Sequence, residues 1–153
     1  STTSAAASLY AFLRKLEENN QPALTAYDDG TGTWTIGYGS IYNWDENRDV
    51  QQGDTIDAAT AERWLEIEAN STMEQVKAMV KVPITNNQLI ALSSFAYNEG
   101  TGALKNSTLL RLLNNGTNIN TVANEFDKWV YAGGRYMQGL YNRRQAEKQL
   151  FLS

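Results

Sequence analysis

Apolar residues recur at helical spacing at Leu9, Phe12, Leu13 and Leu16, and the run stops in Asn19-Asn20-Gln21-Pro22. This pattern predicts a first amphipathic helix over Leu9–Leu16. From Tyr27 to Tyr42 the pattern changes. Gly30, Gly32, Gly37 and Gly39 punctuate Thr33, Trp34, Thr35, Ile36, Tyr38 and Ile41, residue types that favour strands, so a small twisted hairpin or meander is expected. Asp57 is placed to cap a long helix running to about Val80, because that stretch is rich in Ala, Glu, Met and Lys and stops before Val82-Pro83. Thr85, with Gln88 three residues on, forms a capping box for a helix from Asn86 to about Asn98. A shorter helix is predicted over Ser107–Leu113, closed by Asn115-Gly116. Another is predicted around Val122–Val130, ending at Gly133-Gly134, and a last one from about Leu140 to Leu150. The order implies a mostly helical α+β fold in a single domain spanning 1–153. Its N-terminal lobe covers about 9–57, a connecting helix about 58–80, and a helical C-terminal lobe about 81–153.

Composition narrows the chemistry. With 153 residues, of which 42% are hydrophobic, the chain is long enough to build its own core. The absence of both Cys and His removes the usual zinc ligands, the thiol nucleophile, the disulfide framework and every His-based triad. No metal or cofactor is therefore expected, and catalysis falls to carboxylates, hydroxyls, Lys, Tyr or Arg. Thirteen Lys and Arg against 17 Asp and Glu give a net charge of -4, which argues against general affinity for nucleic acid or anionic lipid and leaves room for a local basic patch. No apolar run approaches a membrane span of about 20 residues, so a soluble, monomeric chain without stable membrane insertion is expected.

A carboxylate just past a helix, followed by a Gly-rich hairpin with a second carboxylate and a hydroxyl, suits glycosidic bond hydrolysis. One group protonates the leaving oxygen, and the others orient water or stabilise an oxocarbenium-like centre. Taken alone the pattern is weak, because Asp28-Asp29-Gly30 is also ordinary turn chemistry. The full stretch Leu24-Thr25-Ala26-Tyr27-Asp28-Asp29-Gly30-Thr31-Gly32-Thr33-Trp34-Thr35-Ile36-Gly37-Tyr38-Gly39 resembles the signature hairpin of the tailed-phage lysozymes, the endolysin family classed as glycoside hydrolase family 24. A second block, from Asn87-Gln88 through Ser94-Phe95-Ala96-Tyr97-Asn98 and Gly100 to Ser107-Thr108-Leu109-Leu110, is similar to the same family. So is a third, with Phe126, Trp129, Ala132-Gly133-Gly134, Gly139-Leu140, Arg143-Arg144 and Glu147. The resemblance implies a two-lobe lysozyme-like fold with its cleft between the lobes. It also implies a muramidase that cuts the bond between N-acetylmuramic acid and N-acetylglucosamine in bacterial peptidoglycan, made in the host cytoplasm and acting on the cell wall.

The resemblance further implies a catalytic Glu at the end of the first helix, then an Asp, then the Thr of the Thr-Ile-Gly turn. Asp29 and Thr35 fit. The family's spacing, eight residues between Glu and Asp, lands on Asn20, which cannot donate a proton as a general acid. Either the chain is an inactive lysozyme-fold binding module, or the loop is longer here and Glu17 or Glu18 is the acid. Helical phase favours Glu17, since the apolar stripe is centred roughly 90° from Glu17 and roughly 170° from Glu18. Tyr97, Asn98 and Ser107 fall where relatives line the sugar cleft, and Arg143 where relatives carry a basic residue near the acid. Ser40 stands where many relatives have a His, so a stabilising His-carboxylate pair cannot form.

Overall fold

The computed structural model describes residues 2–153, with the side chains of Thr2, Thr3 and Glu18 outside that description. Glu18, the alternative acid, thus has a side chain that lies outside the described residues. The chain divides into two compact units: a hairpin unit, Tyr10–Ala69, and a helical unit, Ser1–Leu9 with Asn70–Ser153.

Helix α1 (Thr2–Leu16) begins well before the predicted start, because the small residues Ala5 and Ala6 extend the buried stripe of Leu9 and Leu13 toward the N-terminus. Its last bond runs from the Glu17 N–H to the Leu13 carbonyl at 2.7 Å. Asn19 and Asn20 then take positive φ, 51° and 67°, a region that Asn tolerates better than most residues, and this ends the helix. Strand β1 (Ala23–Asp28) pairs antiparallel with β2 (Trp34–Gly37), placing Tyr27 opposite Thr35 and Asp28 opposite Trp34. A second, separate pair, β3 (Tyr42–Asn43) and β4 (Arg48–Asp49), follows, so of the expected hairpin or meander the hairpin is the form taken. The core of this unit gathers Ala26, Ile36, Val50 and Trp64, with Trp34 and Ile56 packed against it.

Helix α2 (Ala58–Met79) is the predicted long helix, continuous across the boundary between the units. Asp57 Oδ1 accepts the Thr60 N–H at 2.8 Å, which satisfies a first-turn donor that would otherwise be orphaned. In the helical unit, α3 (Asn86–Glu99) opens with the predicted capping box of Thr85 and Gln88 and is buried along most of its length, from Leu89 to Ala96. It is followed by α4 (Thr101–Lys105), α5 (Thr108–Asn114), α6 (Ile119–Asn124) and α7 (Gln138–Leu152). The rings of Phe95, Phe126, Trp129 and Phe151 meet edge-on or tilted at 5.1–5.8 Å between centroids and tie the helices together. The helix expected over Val122–Val130 is shorter than that. It stops at Asn124, tightens into a 3-10 turn over Glu125–Lys128, and leaves helical geometry at Trp129. There the aromatic side chain packs on Phe95, so tertiary packing outweighs local helical preference. Gly133 and Gly134 do not cap a helix; with φ of 57° and 77° they turn a hairpin of β5 (Tyr131–Ala132) and β6 (Arg135–Tyr136).

Candidate active site

In the hairpin unit the end of α1 meets the turn that follows β2. Arg14, one turn from the helix end, is paired with Glu62 of α2 at 2.5 Å, which fixes where the last turn of α1 points. The half-buried Glu17 carboxylate lies on the backbone of Gly39: a β-carbon built there would stand 3.1 Å from Glu17 Oε2. Gly39 has φ +87°, so its backbone conformation favours glycine, and a side chain there would press on the Glu17 carboxylate. Helical bonding reaches as far as the Glu17 N–H and stops there, because Glu18–Asn20 is a 3-10 turn.

Asp28 and Asp29 shape the tip of the β1–β2 hairpin with their own carboxylates. Asp28 Oδ1 accepts the N–H groups of Gly30 and Gly32, at 2.8 and 3.0 Å. Asp29 Oδ1 accepts the Thr31 hydroxyl at 2.6 Å and the N–H groups of Thr31 and Thr33 at 2.8 and 3.3 Å. These bonds, the Thr31 hydroxyl first among them, hold the Asp29 carboxyl below the ordinary carboxylate range, so it is ionised at neutral pH while remaining exposed. Thr35 is buried on β2, and its hydroxyl donates to the Thr33 carbonyl at 3.2 Å, leaving its lone pairs as acceptors. Asp29 and Thr35 are thus held on one hairpin, and Glu17 is seated on the turn that follows β2.

The other candidates lie in the helical unit, around a buried ionic cluster. Arg144 and Glu147 are fully buried, with Arg144 Nε 2.8 Å from Glu147 Oε1, and the Arg144 guanidinium also rests on the Phe95 ring. Arg143, also buried, donates to Glu147 Oε2 at 3.2 Å and to the Ser94 carbonyl at 3.1 Å, and the Ser94 hydroxyl donates to the same Glu147 oxygen at 2.5 Å. Asn98, exposed at the end of α3, accepts from Arg144 through Oδ1 at 2.8 Å, and Tyr97 beside it is half-buried. Burial pushes the neighbouring Glu99 carboxyl up, and Arg144 partly offsets that effect. Ser107 caps α5: its Oγ accepts the Leu110 N–H at 3.0 Å and donates to the Leu104 carbonyl at 2.6 Å. Among the described residues no group of three or more Asp or Glu side chains is arranged to hold a metal ion.

Residues 18–147 match the model of the family described as phage lysozyme. The chain belongs to the phage lysozyme family. The endolysin of Bacillus phage B103 is 43% identical over 120 residues, covering 78% of this chain and 43% of that protein, so the chain spans less than half of that relative. The solved endolysin of Escherichia coli phage FAHEc1 is 32% identical with a TM-score of 0.82, covering 95% of this chain and 90% of that one. The muramidase domain of SpmX from Asticaccaulis excentricus is 29% identical with a TM-score of 0.79, covering 95% of each. These neighbours carry the lysozyme-like α+β fold, with its small antiparallel strand pairs, that the sequence pattern predicts.

Within this phage lysozyme fold, two contacts were not foreseen by sequence reasoning. The seat that Gly39 offers to Glu17 is one; its signal is the second Gly of Gly37-Tyr38-Gly39 in a strand-forming stretch, where a side chain is otherwise favoured. Ser40 is another. It forms no His-carboxylate pair, yet its buried hydroxyl donates to Glu68 Oε2 at 2.7 Å, and the Trp44 Nε1–H donates to the same oxygen at 2.8 Å. Glu68 of α2 thus holds both Ser40 and Trp44.

Proposed function

We propose that the chain is a peptidoglycan hydrolase that cleaves the β-1,4 bond between N-acetylmuramic acid and N-acetylglucosamine, with Glu17 as the general acid. Glu17 gives its proton to the glycosidic oxygen as the bond breaks. Asp29, kept ionised by its three donors, stabilises the positive charge that develops on the sugar ring, and the Thr35 oxygen accepts a hydrogen bond from the incoming water. The observation that carries this reading is the Glu17 carboxylate seated on Gly39, in a turn whose positive φ and close approach favour glycine. It supports Glu17 over Asn20, which is exposed and carries no acidic proton. Tyr97 and the exposed Asn98 are assigned to the glycan, whereas the bonds of Ser107 and Arg143 favour a supporting role beneath residues that meet it. Family membership and the similarity to a muramidase domain support the substrate class.

The test is product chemistry on purified peptidoglycan. Borohydride reduction after digestion should convert muramic acid ends to muramitol in step with the loss of turbidity. Reduced glucosamine ends in place of muramitol would reject the assigned bond. Binding to the wall without any new reducing ends would leave a lysozyme-fold binding module.

A further inference from the structure

The last turn of α3 places two polar side chains on one buried cation. Arg144 of α7 is fully buried, its guanidinium rests on the Phe95 ring, and its Nε lies 2.8 Å from Glu147 Oε1. Its two terminal nitrogens turn to consecutive residues of α3. Nη2 donates to Asn98 Oδ1 at 2.8 Å and to Glu147 Oε2 at 3.3 Å, while Nη1 faces Glu99 Oε2 at 3.4 Å. Nη1 makes no hydrogen bond among the described residues, so the Glu99 carboxylate is the charge that answers it there. A guanidinium has donors and no acceptor, so it takes the oxygen end of the Asn98 amide and leaves the nitrogen end turned away from it. Asn98 is exposed, and among the described residues its Nδ2 has no hydrogen-bond partner. Two N–H donors thus await an acceptor on a ligand, such as the acetamido carbonyl of an N-acetylated sugar.

We propose that Glu99 is a positioning residue for the hydrolysis: it holds Arg144 in the orientation that fixes Asn98 as a hydrogen-bond donor to the glycan. The assignment rests on the reading above that gives Asn98 to the glycan, and it adds a residue that acts through its neighbour. With the Glu99 charge gone, Glu147 attracts the guanidinium from one side only, and the Asn98 amide is released to offer either end. The charged groups acting on Glu99 are Arg144, Glu147 and Arg143, all of α7; Lys105 of α4, the other helix packed on α3, is not among them. Burial holds the Glu99 carboxyl above the ordinary Glu range, so it takes up a proton at a higher pH than an exposed Glu, and its hold on Arg144 weakens as pH falls through that point.

The experiment is a titration of the full chain with the disaccharide N-acetylglucosaminyl-N-acetylmuramic acid, which lacks the bond assigned for cleavage, followed by NMR of the Asn98 side-chain amide. Binding should shift that amide signal. At neutral pH Glu99→Gln, which keeps the shape and removes the charge, should bind about three- to tenfold more weakly, with Glu99→Asp closer to the parent. The ratio of parent to Glu99→Gln affinity should approach one as pH falls, because the parent then carries a neutral Glu99 too and the other titrating groups cancel. In an Asn98→Ala background Glu99→Gln should cost nothing further. On peptidoglycan the loss should show in KM more than in kcat. An unchanged affinity in Glu99→Gln, an equal loss in the Asn98→Ala background, or an amide signal unmoved by the disaccharide would overturn the proposal. If Glu99→Gln unfolds, the pH dependence of the parent's affinity against that of Asn98→Ala carries the same test, and matching profiles would overturn it. Because the probe is not cut, the result stands apart from bond cleavage: a chain that yields no new reducing ends fails the hydrolase reading and leaves this titration intact.

Discussion

The hairpin unit carries four Lys and Arg against twelve Asp and Glu, a charge of -8, while the helical unit carries +4. The two use ionisable side chains differently. In the hairpin unit carboxylates sit at the surface and shape loops, accepting backbone N–H groups at Asp28, Asp29, Asp54 and Asp57 or Arg side chains at Asp45 and Asp54. In the helical unit the pair of Arg144 with Glu147 is buried and joins α7 to α3 through Ser94 and Asn98. The contrast fits a division of labour. The exposed carboxylate-rich loops keep Asp29 charged and reachable, whereas the interior ion pair fixes the helices that present Asn98.

This contrast can be broken by removing charges one at a time. The largest expected effect is Glu147→Ala, which leaves Arg144 buried without its main partner and should cost about 3–5 kcal/mol in denaturant unfolding. Taking Asp45 away from its exposed pair with Arg63 should cost far less. A cost for Glu147→Ala as small as that of Asp45→Asn would mean that the buried cluster does not organise the helical unit.

A smaller effect is expected at Gly39. Gly39→Ala places a β-carbon 3.1 Å from Glu17 Oε2 at φ +87°, and should cost about 1–3 kcal/mol and displace the acid. Gly53→Ala, at φ +91° with open space around it, imposes similar backbone strain without touching Glu17. Lytic rate should therefore fall for the first and hold for the second. Equal rates in the two variants would detach Gly39 from the site.

The smallest effect is an acid response confined to one unit. Asp29, Asp45, Asp54 and Asp57 are all held below the ordinary Asp value of 3.8 by their donors, and all lie in the hairpin unit. Because the folded form holds those protons less tightly than the unfolded chain, their stabilisation is complete well above pH 3.8. It is lost as pH falls through and below that value. Glu62, pushed up by burial, opposes this in the same unit, but it is one group against four. Glu99, also raised by burial, gives the helical unit the opposite sign. Amide exchange between pH 5 and pH 2.5 should therefore open the hairpin unit first; earlier opening of the helical unit would reverse the comparison.

Regular elements were the most legible part of the sequence. The capping box at Thr85, the cap at Asp57 and the glycine pattern of the β1–β2 hairpin are local, so neighbouring residues announce them. Trp129 was misread because its helix is broken by a ring contact with Phe95, which is distant in sequence. The two signals for the proposed acid did not agree. Spacing pointed to Asn20 and helical phase to Glu17, and the end of the helix that the phase relied on is set by the positive φ of Asn19 and Asn20.

The central claim is that Glu17 supplies the proton. It is tested most directly by assaying Glu17→Gln and Glu18→Gln on the same purified peptidoglycan, after thermal unfolding shows equal stability. Glu17→Gln keeps the shape and removes the donor, so the catalytic step should slow by about 10² to 10⁴, with Glu18→Gln close to the parent. An active Glu17→Gln beside an inactive Glu18→Gln would contradict the account, and full activity in both would take this helix end out of the mechanism.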